Sequence, residues 1–262
     1  MDLGIAGRRA FVAGSSSGIG KACAELLARE GVRLFLTARG EQHLAETARE
    51  IGSTGVDVSW HAADLSTEAG VDSAFDAALA TMGGVDILIN NAGGPKGGKF
   101  SSLSDADWER AVALTLMSTV RLTRRALPGM QQRSWGRIIT IASTSVKQPI
   151  EGLLLSNSIR LAVVGFAKTL TTEIAGKGIT INTVAPGYTA TDRLGHLAAA
   201  RAKEEGVEPE EIYRRWAEET PLRRIGTAAE IAAAVAFLAS EPAAYINGVT
   251  LAVDGGRIKG VM

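Results

Sequence analysis

The feature that most constrains the fold is an alternation of short apolar runs with longer stretches of helical periodicity. Seven runs have the length of buried strands, and the stretches between them have the length of helices. This alternation is typical of βαβ units on a parallel sheet. The predicted strands are Arg9–Ala13, Arg33–Thr37, Val56–Ala62, Asp86–Asn90, Arg137–Ala142, Thr180–Val184 and Val249–Val253. The predicted helices include Lys21–Glu30, Gln42–Ile51, Glu68–Met82, Trp108–Met130, Leu161–Ala175 and Ala228–Ala239.

The pattern predicts an α/β fold of Rossmann type in one domain, a doubly wound parallel seven-stranded sheet with helices on both faces. No proline- or serine-rich linker divides residues 1–262. One segment, residues 191–220, departs from the alternation, because it is charged and helix-prone throughout. It is either a solvated helical pair or a lid over a ligand. We favour a lid, because insertions at the carboxyl edge of a parallel sheet lie where ligands bind.

Composition excludes several classes of function. Lysine plus arginine equals aspartate plus glutamate, 28 against 28, so no net charge favours nucleic acid or an anionic membrane. No apolar run approaches the roughly 18 residues of a membrane span, and the N-terminus reads as a strand rather than a signal peptide. The single cysteine, Cys23, fits a small buried residue, and His43, His61 and His196 lack metal-ligand spacing. We therefore expect a cytoplasmic protein without a metal site.

The turn after the first strand is rich in glycine and serine. Its sequence is Gly14-Ser15-Ser16-Ser17-Gly18-Ile19-Gly20. Glycines at this point let the backbone turn sharply and bring its N–H groups against a pyrophosphate. The spacing differs from the common G-x-G-x-x-G, and a glycine cluster alone could be a tight turn. Its position, between an apolar strand and a helix, favours phosphate binding.

The end of the second strand indicates which nicotinamide cofactor would bind. An acidic residue there would accept a hydrogen bond from a ribose 2′-hydroxyl, whereas an arginine accommodates a 2′-phosphate. This chain has Arg39 and no acid at that strand end. A guanidinium pairs with phosphate through charge-assisted hydrogen bonds. An arginine at a strand end is common by itself, but together with the glycine turn it predicts NADP(H) in preference to NAD(H).

Several short motifs recur along the chain after the predicted strands and near the C-terminus. They are Gly14–Gly20, Asp64-Leu65, Asn90-Asn91-Ala92-Gly93, Pro186-Gly187, Tyr245-Ile246-Asn247-Gly248 and Val253-Asp254-Gly255-Gly256. Together they resemble the short-chain dehydrogenase/reductase family over nearly the whole chain. Within it the chain is most similar to the β-ketoacyl-carrier-protein reductase branch, and there to a divergent subgroup with an altered catalytic site.

The resemblance implies further cofactor contacts. Asp64 would accept from the adenine amino group with Leu65 beside the ring, while Asn91, Ala92 and Gly93 would line the adenosine side. The residues implied beside the nicotinamide are Pro186, Gly187 and Thr189, with Thr191 near the carboxamide or phosphates. Each position follows a predicted strand, as expected of ligand contacts in this fold.

The catalytic positions depart from the family pattern, which uses an asparagine, a serine, and a tyrosine and lysine spaced Y-x-x-x-K. Of these only the serine is retained, as Ser143. The tyrosine position is Ser156, the lysine position is Arg160 and the asparagine position is Thr115. Arginine stays protonated and cannot relay a proton as the tyrosine does, and a serine hydroxyl is a poorer acid than a phenol.

Three interpretations follow from this altered site. In the first, which we favour, Ser143 and Ser156 hydrogen-bond a substrate carbonyl, Arg160 stabilises the alkoxide, and water or another side chain delivers the proton. Lys147 and Tyr188 are candidate donors, and surface roles suit each equally. In the second, Arg160 binds an anionic group and the chemistry is different. In the third, the chain is a cofactor-binding module without turnover, a sensor or an assembly subunit.

The resemblance also implies partners. Family members are usually homotetramers, so we expect a homo-oligomer, a tetramer or a dimer, that acts on a small-molecule or acyl-thioester carbonyl. The stretch Leu161–Ala167 is apolar on more than one face, which suits either a subunit interface or a core helix. Four arginines of the insertion hint at acidic ligands, but solvated helix faces paired with glutamates are the better interpretation. They are Arg193, Arg201, Arg214 and Arg215.

Overall fold

The computed structural model describes residues 1–261 and confirms the seven-stranded parallel sheet. Its strands are β1 (Arg9–Ala13), β2 (Arg33–Ala38), β3 (Val58–Ala62), β4 (Ile87–Asn90), β5 (Gly136–Ile141), β6 (Ile179–Pro186) and β9 (Thr250–Val253). They lie in the order β3-β2-β1-β4-β5-β6-β9, and every neighbouring pair is parallel. Successive strands are added on one side of β1 up to β3 and on its other side from β4 onward, so the strand order reverses between β1 and β4. Ligands bind at this point in such folds.

Helices cover both faces, as the apolar periodicity predicts. On one face lie α1 (Gly18–Arg29), α2 (Glu41–Gly52) and α9 (Ala228–Ala239), whose buried side chains form one core with the sheet. On the other lie α3 (Glu68–Met82), α5 (Ser118–Gln132) and α6 (Leu154–Glu173). Three stacked phenylalanines lie in this second core. The ring centroid of Phe11 is 5.3 Å from that of Phe35 and 5.7 Å from that of Phe75. Cys23 is buried in the first core, where burial raises the pKa of its thiol to about 12.

The predicted helix Trp108–Met130 is interrupted in the structure. It begins as α4 (Asp105–Ala111), passes through π-helical turns at Val112–Met117, and continues as α5. A π-turn adds one residue to a helix, and such an addition is not visible in a 3.6-residue pattern. The Thr119 hydroxyl donates to the carbonyl of Thr115 at 2.9 Å and so satisfies a backbone group inside the distorted region. Helical π-turns occur most often at functional sites.

Helix α6 begins at Leu154, seven residues before the predicted start at Leu161. Serine and asparagine are poor helix formers because their side chains compete for backbone groups, so this serine-rich stretch reads as a loop. Here those side chains have partners. Asn157 bonds both the amide and the carbonyl of Ile150, at 3.2 and 2.9 Å, and the Ser158 hydroxyl donates to Leu154 O at 3.0 Å.

The segment 191–220 forms two helices, α7 (Asp192–Glu205) and α8 (Pro209–Glu219), which we call the α7–α8 insertion. They share a small core separate from the sheet, built on Leu194, Ala198, Ala202, Ile212 and Trp216. Two short strands that the sequence analysis did not predict flank the insertion and pair in parallel. They are β7 (Thr189–Ala190) and β8 (Gly226–Thr227).

A buried ion cluster lies at the amino end of the strands, opposite the ligand edge. The Asp86 carboxylate accepts from Arg9 Nε at 2.7 Å and from Arg133 Nε at 2.9 Å. Burial alone would raise the pKa of Asp86, but hydrogen bonds from Arg9 and the charges of Arg9 and Arg133 outweigh it. The pKa therefore lies below its usual value of 3.8.

Candidate active site

The glycine turn lies at the carboxyl end of β1, at the point where the strand order of the sheet reverses. Gly14 has a φ of +60°, and a Cβ there would overlap the carbonyl oxygen of Asn91. The Asn91 side chain donates to Gly14 O at 3.3 Å, so the ends of β1 and β4 are joined. Because no side chain fits here, the turn presents bare backbone to the start of α1.

Two of the three serines of the turn, Ser15 and Ser16, are hydrogen-bonded to neighbouring elements, and the side chain of the third, Ser17, is not. Ser15 is buried, and its hydroxyl accepts from the amide of Thr37 at 3.0 Å, which ties the turn to β2. Ser16 O accepts from the Thr47 hydroxyl at 3.2 Å. Ser17 is the N-cap of α1, and its side chain makes no capping bond to the backbone of the described chain. Its hydroxyl is thus available beside the helix N-terminus, where an anion is stabilised.

Arg39 follows β2 and is exposed. It has no hydrogen-bond or ion-pair partner among residues 1–261, so its guanidinium is available to a ligand. Asp64 lies at the end of the neighbouring strand, β3. The hydrogen bond from the Ser66 amide, with a smaller contribution from the charge of Arg39, lowers the pKa of Asp64. Leu65 beside it is buried.

Three serines come together after β5. The Ser143 hydroxyl accepts from the amide of Ser145 at 3.1 Å, which leaves its own proton free to donate. The Ser145 and Ser156 hydroxyls lie 3.3 Å apart and are buried, with either as the donor. The sequence analysis did not predict a role for Ser145. The one signal was its position two residues after Ser143, in the short helical turn that follows β5.

Arg160 lies one turn after Ser156 on α6, and its guanidinium is bonded to backbone. It donates to the carbonyls of Ile141 and Ala142 at 2.8 and 2.9 Å, and to the carbonyl of Gly93 at 2.9 Å. Burial, with a contribution from the charge of Arg193, lowers its pKa to about 10. The side chain therefore fixes the loops that follow β4 and β5, and within residues 1–261 no carboxylate pairs with it.

A small cavity of about 10 Å³ lies between these groups, lined by Asn90, Thr115 and Arg160 among others. The Asn90 Oδ1 and Thr115 Oγ1 atoms are buried and have no partner in the described chain. Polar walls of this kind and a volume of this size suit one ordered water. The structure thus brings Thr115 and Arg160 together and places the serine cluster beyond the end of β5.

The loop after β6 carries the residues implied beside the nicotinamide. Pro186 ends β6, and Thr189 is buried, with its hydroxyl donating to Gly187 O at 3.1 Å. Thr191 caps the first turn of α7 and packs against Gly18 of the glycine turn. The start of α7 and the start of α1 therefore lie side by side, in contact through Thr191 and Gly18.

The two candidate proton donors, Tyr188 and Lys147, make no hydrogen bond to the serine cluster within residues 1–261. The Tyr188 hydroxyl donates to Glu219 Oε2 at 3.0 Å and accepts from Arg257 at 3.0 Å, and its ring stacks on Trp216 at 4.8 Å. Burial raises the pKa of Tyr188 to about 12, which makes it a weaker acid than a free phenol. Lys147 is exposed and lines a groove with residues of the edge strand β9. Neither position supports a role as the proton donor.

The arginines of the insertion separate into two kinds. Three of them pair with glutamates, as predicted: Arg201 and Arg215 with Glu205 at 2.6 Å, and Arg214 with Glu211 at 2.7 Å. Arg193 instead donates to the carbonyls of Gly94 and Pro95, at 3.2 and 2.9 Å. Arg193 is exposed, as predicted, but its partners are backbone carbonyls of the loop after β4 and not the glutamate that the sequence analysis expected. The one signal was its place in the first turn, next to the Thr191 cap.

Residues 1–261 lack two further kinds of site. No group of three or more His, Cys, Asp or Glu side chains is placed to bind a metal ion. None of the helices in this described range has the length and apolar character needed to cross a membrane.

Comparisons with known proteins agree with this geometry. The family model described as enoyl-(acyl carrier protein) reductase matches residues 13–257. The chain is 35% identical to the 3-oxoacyl-[acyl-carrier-protein] reductase FabG of Escherichia coli, over 97% of this chain and 98% of that protein. It is 34% identical to a D-beta-hydroxybutyrate dehydrogenase of Cupriavidus necator, over 96% and 98%. Among solved structures, L-sorbose reductase from Gluconobacter frateurii with NADPH and L-sorbose superposes with a TM-score of 0.95 at 37% identity, covering both chains fully.

Proposed function

Because the chain belongs to the short-chain dehydrogenase/reductase family and resembles its 3-oxoacyl-carrier-protein reductases, we propose that it is an NADP(H)-dependent carbonyl reductase. The substrate is a ketone, either a 3-oxoacyl thioester or a smaller carbonyl compound, and the product is the alcohol. The names of its relatives span acyl carriers, hydroxybutyrate and a sugar, so they support the reaction type more than one substrate.

The observation that carries the proposal is the close approach of the ends of β1 and β4. The contact between Gly14 and Asn91 excludes a Cβ and leaves backbone N–H groups and the start of α1 facing the cleft. A pyrophosphate fits this arrangement, since helix N-termini and bare backbone amides stabilise anions. The free hydroxyl of Ser17 adds a donor at the same place.

Preference for NADP(H) rests on Arg39. Its guanidinium is exposed, follows β2 and lacks a partner among the described residues, so it can pair with a 2′-phosphate. Asp64, which follows the neighbouring strand β3, accepts a hydrogen bond from the Ser66 amide. The solved relative with L-sorbose binds NADPH, which supports the same choice here.

The chemistry we propose uses the serine cluster to orient the carbonyl. A bound nicotinamide supplies the hydride. The Ser143 hydroxyl keeps a free proton and can donate it in a hydrogen bond to the carbonyl oxygen, with the Ser145–Ser156 pair beside it. The buried charge of Arg160 stabilises negative charge that develops on that oxygen from behind the Ile141 and Ala142 carbonyls.

Proton delivery is the step in which this chain differs from its family. Ser156 is a far weaker acid than the phenol it replaces, and Arg160 stays charged. We propose that water protonates the alkoxide. General acid catalysis contributes about 10²–10⁴-fold, so turnover without it is slow but remains feasible.

The α7–α8 insertion is proposed as a lid, since at its start Thr191 packs against Gly18 of the glycine turn and Arg193 bonds the loop after β4. A homo-oligomer is also proposed. Leu161 on α6 is 54% exposed, and Ala162 and Gly165 on the same helix are exposed as well, an apolar face suited to a subunit contact. Light scattering should give a mass of two or four chains, and a monomer would contradict this part of the proposal.

The function is tested with cofactor and substrate together. Thermal shift with NADPH and NADH should show stabilisation mainly by NADPH, and absorbance should report NADPH oxidation with ketones or β-ketoacyl thioesters. Stabilisation without oxidation of NADPH by any carbonyl would favour a cofactor-binding module. No stabilisation by either cofactor would refute the cofactor assignment itself.

A further inference from the structure

Two arginines converge on one loop at the inner end of the cleft. Arg160 donates to the carbonyl of Gly93, and Arg193 donates to the carbonyls of Gly94 and Pro95. Three consecutive carbonyl groups therefore accept from two guanidinium groups, one from α6 and one from α7. The two positive charges are close enough that Arg193 contributes to the lowered pKa of Arg160.

No acid balances this charge among the described residues. The loops that surround the two guanidinium groups contain two carboxylates, Glu151 and Asp192, and both are exposed. Neither forms an ion pair with Arg160 or Arg193 within residues 1–261. Every other arginine of the α7–α8 insertion has a glutamate partner. A buried arginine without a counter-ion is costly, and a bound anion would offset that cost.

Arg193 keeps hydrogen-bond capacity for such an anion. A guanidinium has five N–H groups, and the two bonds to Gly94 and Pro95 use two of them. The residue is exposed, so its remaining donors can reach a ligand. A Cβ on Gly94 would lie 2.5 Å from the Arg193 Cζ, so the guanidinium rests directly on this glycine, which fixes its position.

The position of the pair favours substrate over cofactor phosphate. Arg160 bonds Ile141 and Ala142, which immediately precede Ser143, and it lies one turn from Ser156. The charge therefore borders the serine cluster that would orient the carbonyl. Arg39, the group suited to the 2′-phosphate, follows β2, which is separated from β4 by β1.

Resting on the proposed function, we infer that Arg193, supported by Arg160, selects substrates that carry a carboxylate, so that the chain reduces oxo acids in preference to neutral ketones. Arg193 is the specificity-determining residue, and a carboxylate accepts two parallel N–H bonds from its planar group. Arg160 contributes charge and holds the Gly93 loop in place.

The test compares each acid with its neutral ester. kcat/KM is measured at saturating NADPH for acetoacetate against methyl acetoacetate, and for benzoylformate against methyl benzoylformate. We expect the wild type to prefer the acid in at least one pair by about 10- to 100-fold, the range of a charge-assisted contact. Arg193→Gln should bring that ratio close to one and leave the Kd of NADPH unchanged.

Two further variants separate charge from folding. Gly94→Ala should displace the guanidinium without removing it and should lower the acid preference as well, while circular dichroism remains that of the wild type. Arg201→Gln, on the same helix but paired with Glu205, should keep the wild-type ratio. Loss of NADPH affinity in Arg193→Gln, or equal losses for acid and ester, would overturn the inference, as would a wild type without acid preference in both pairs.

A binding measurement distinguishes this inference from the proposed function. Calorimetric titration of acetoacetate and benzoylformate into the protein with NADP⁺ reports binding without turnover. If no carbonyl compound oxidises NADPH but an acid binds and Arg193→Gln abolishes it, the reductase proposal fails and the carboxylate site stands. If neither acid is bound or reduced, the carboxylate site is refuted.

Discussion

At the scale of single residues, the proposed preference for NADP(H) depends on Arg39. Arg39→Asp should reverse the preference, because the new carboxylate repels a 2′-phosphate and accepts from a ribose 2′-hydroxyl. Loss of charge-assisted bonds of about 1.5–3 kcal/mol, with repulsion added, predicts a fall of at least about 100-fold in the kcat/KM for NADPH relative to NADH. Steady-state kinetics with each cofactor measure this ratio of the two kcat/KM values.

The matched control is Arg49→Asp, which makes the same charge change at an exposed position near the end of α2. The ratio of kcat/KM for NADPH to kcat/KM for NADH in this variant should equal that of the wild type. A similar shift in both variants would mean that the ratio reports overall charge and not a contact at position 39.

In the proposed mechanism, the pair Ser156 and Arg160 determines how the proton is delivered. Replacing both, as Ser156→Tyr with Arg160→Lys, should raise ketone reduction by up to about 10²–10⁴-fold if a missing general acid limits turnover. An unchanged rate would show that another step is limiting, and a loss of existing activity would show that the native pair has its own chemistry.

The single variant Arg160→Lys serves as the control for structure. An ammonium has three N–H donors on one atom and cannot reproduce the spread of a guanidinium over Gly93, Ile141 and Ala142. Each unsatisfied buried carbonyl costs about 1–3 kcal/mol, so a lower melting temperature is expected. A rise in activity in the single variant would assign the effect to the lysine alone.

Residue identity could be predicted from the sequence more readily than residue partners. The positions of Ser143, Ser156 and Arg160 follow from the resemblance to the family, but the three carbonyl acceptors of Arg160 lie in two other segments of the chain. The contact of Arg193 with Gly94 joins residues 99 positions apart and depends on the path of α7. No local pattern encodes such long-range contacts, which is why the backbone partners of Arg193 were not predicted.

At the scale of elements, the α7–α8 insertion is joined to the body of the protein through Trp216. This side chain stacks on Tyr188, and Arg257 packs over the same tyrosine ring at 4.4 Å. Trp216→Ala should cost about 3–5 kcal/mol of local stability, as is usual for a buried tryptophan. Proteolysis within residues 191–220 should then accelerate about 100-fold or more when opening and closing are fast relative to cleavage.

Trp60→Ala is the matched control, since that tryptophan lies on β3 and is 37% exposed. Its cleavage rate within the insertion should not change. NADPH should slow cleavage of the wild type if the insertion covers the cofactor. Equal rates with and without NADPH would contradict a lid.

The elements themselves were predictable where buried apolar runs define them. Strand β1 matches its predicted bounds, and β2 differs by one residue. Prediction failed where tertiary contacts replace local preference, as at the start of α6, whose Asn157 is satisfied by the backbone of Ile150. It failed again at the π-turns around Thr115, because the inserted residue leaves the apolar pattern almost unchanged.

At the scale of the whole molecule, the ion cluster of Asp86, Arg9 and Arg133 stabilises the amino edge of the sheet. Asp86→Asn should reduce the free energy of unfolding by about 2–4 kcal/mol, below the value for a fully buried pair because both arginines are partly exposed. Urea denaturation at pH 7 measures this change. Asp57→Asn, which removes a surface pair with Arg33, should change it by less than about 1 kcal/mol.

The same cluster predicts a pH dependence. Since folding lowers the pKa of Asp86 below 3.8, its contribution is fully present above that value and is lost as pH falls through the folded pKa. The stability difference between wild type and Asp86→Asn should therefore stay constant from pH 7 to about pH 5 and shrink below about pH 4. A difference that grew on acidification would contradict this assignment.

The burial of Cys23 has a practical consequence. Its thiol is enclosed and its pKa is raised to about 12, so at neutral pH it supplies almost no thiolate for alkylation. A fluorophore attached through one cysteine introduced on α7, for example at the exposed Glu204, would be the sole label without any need to remove the native sulfur. Paired with a tryptophan as quencher, such a dye would report in real time any movement of the insertion relative to the sheet, as the proposed lid requires.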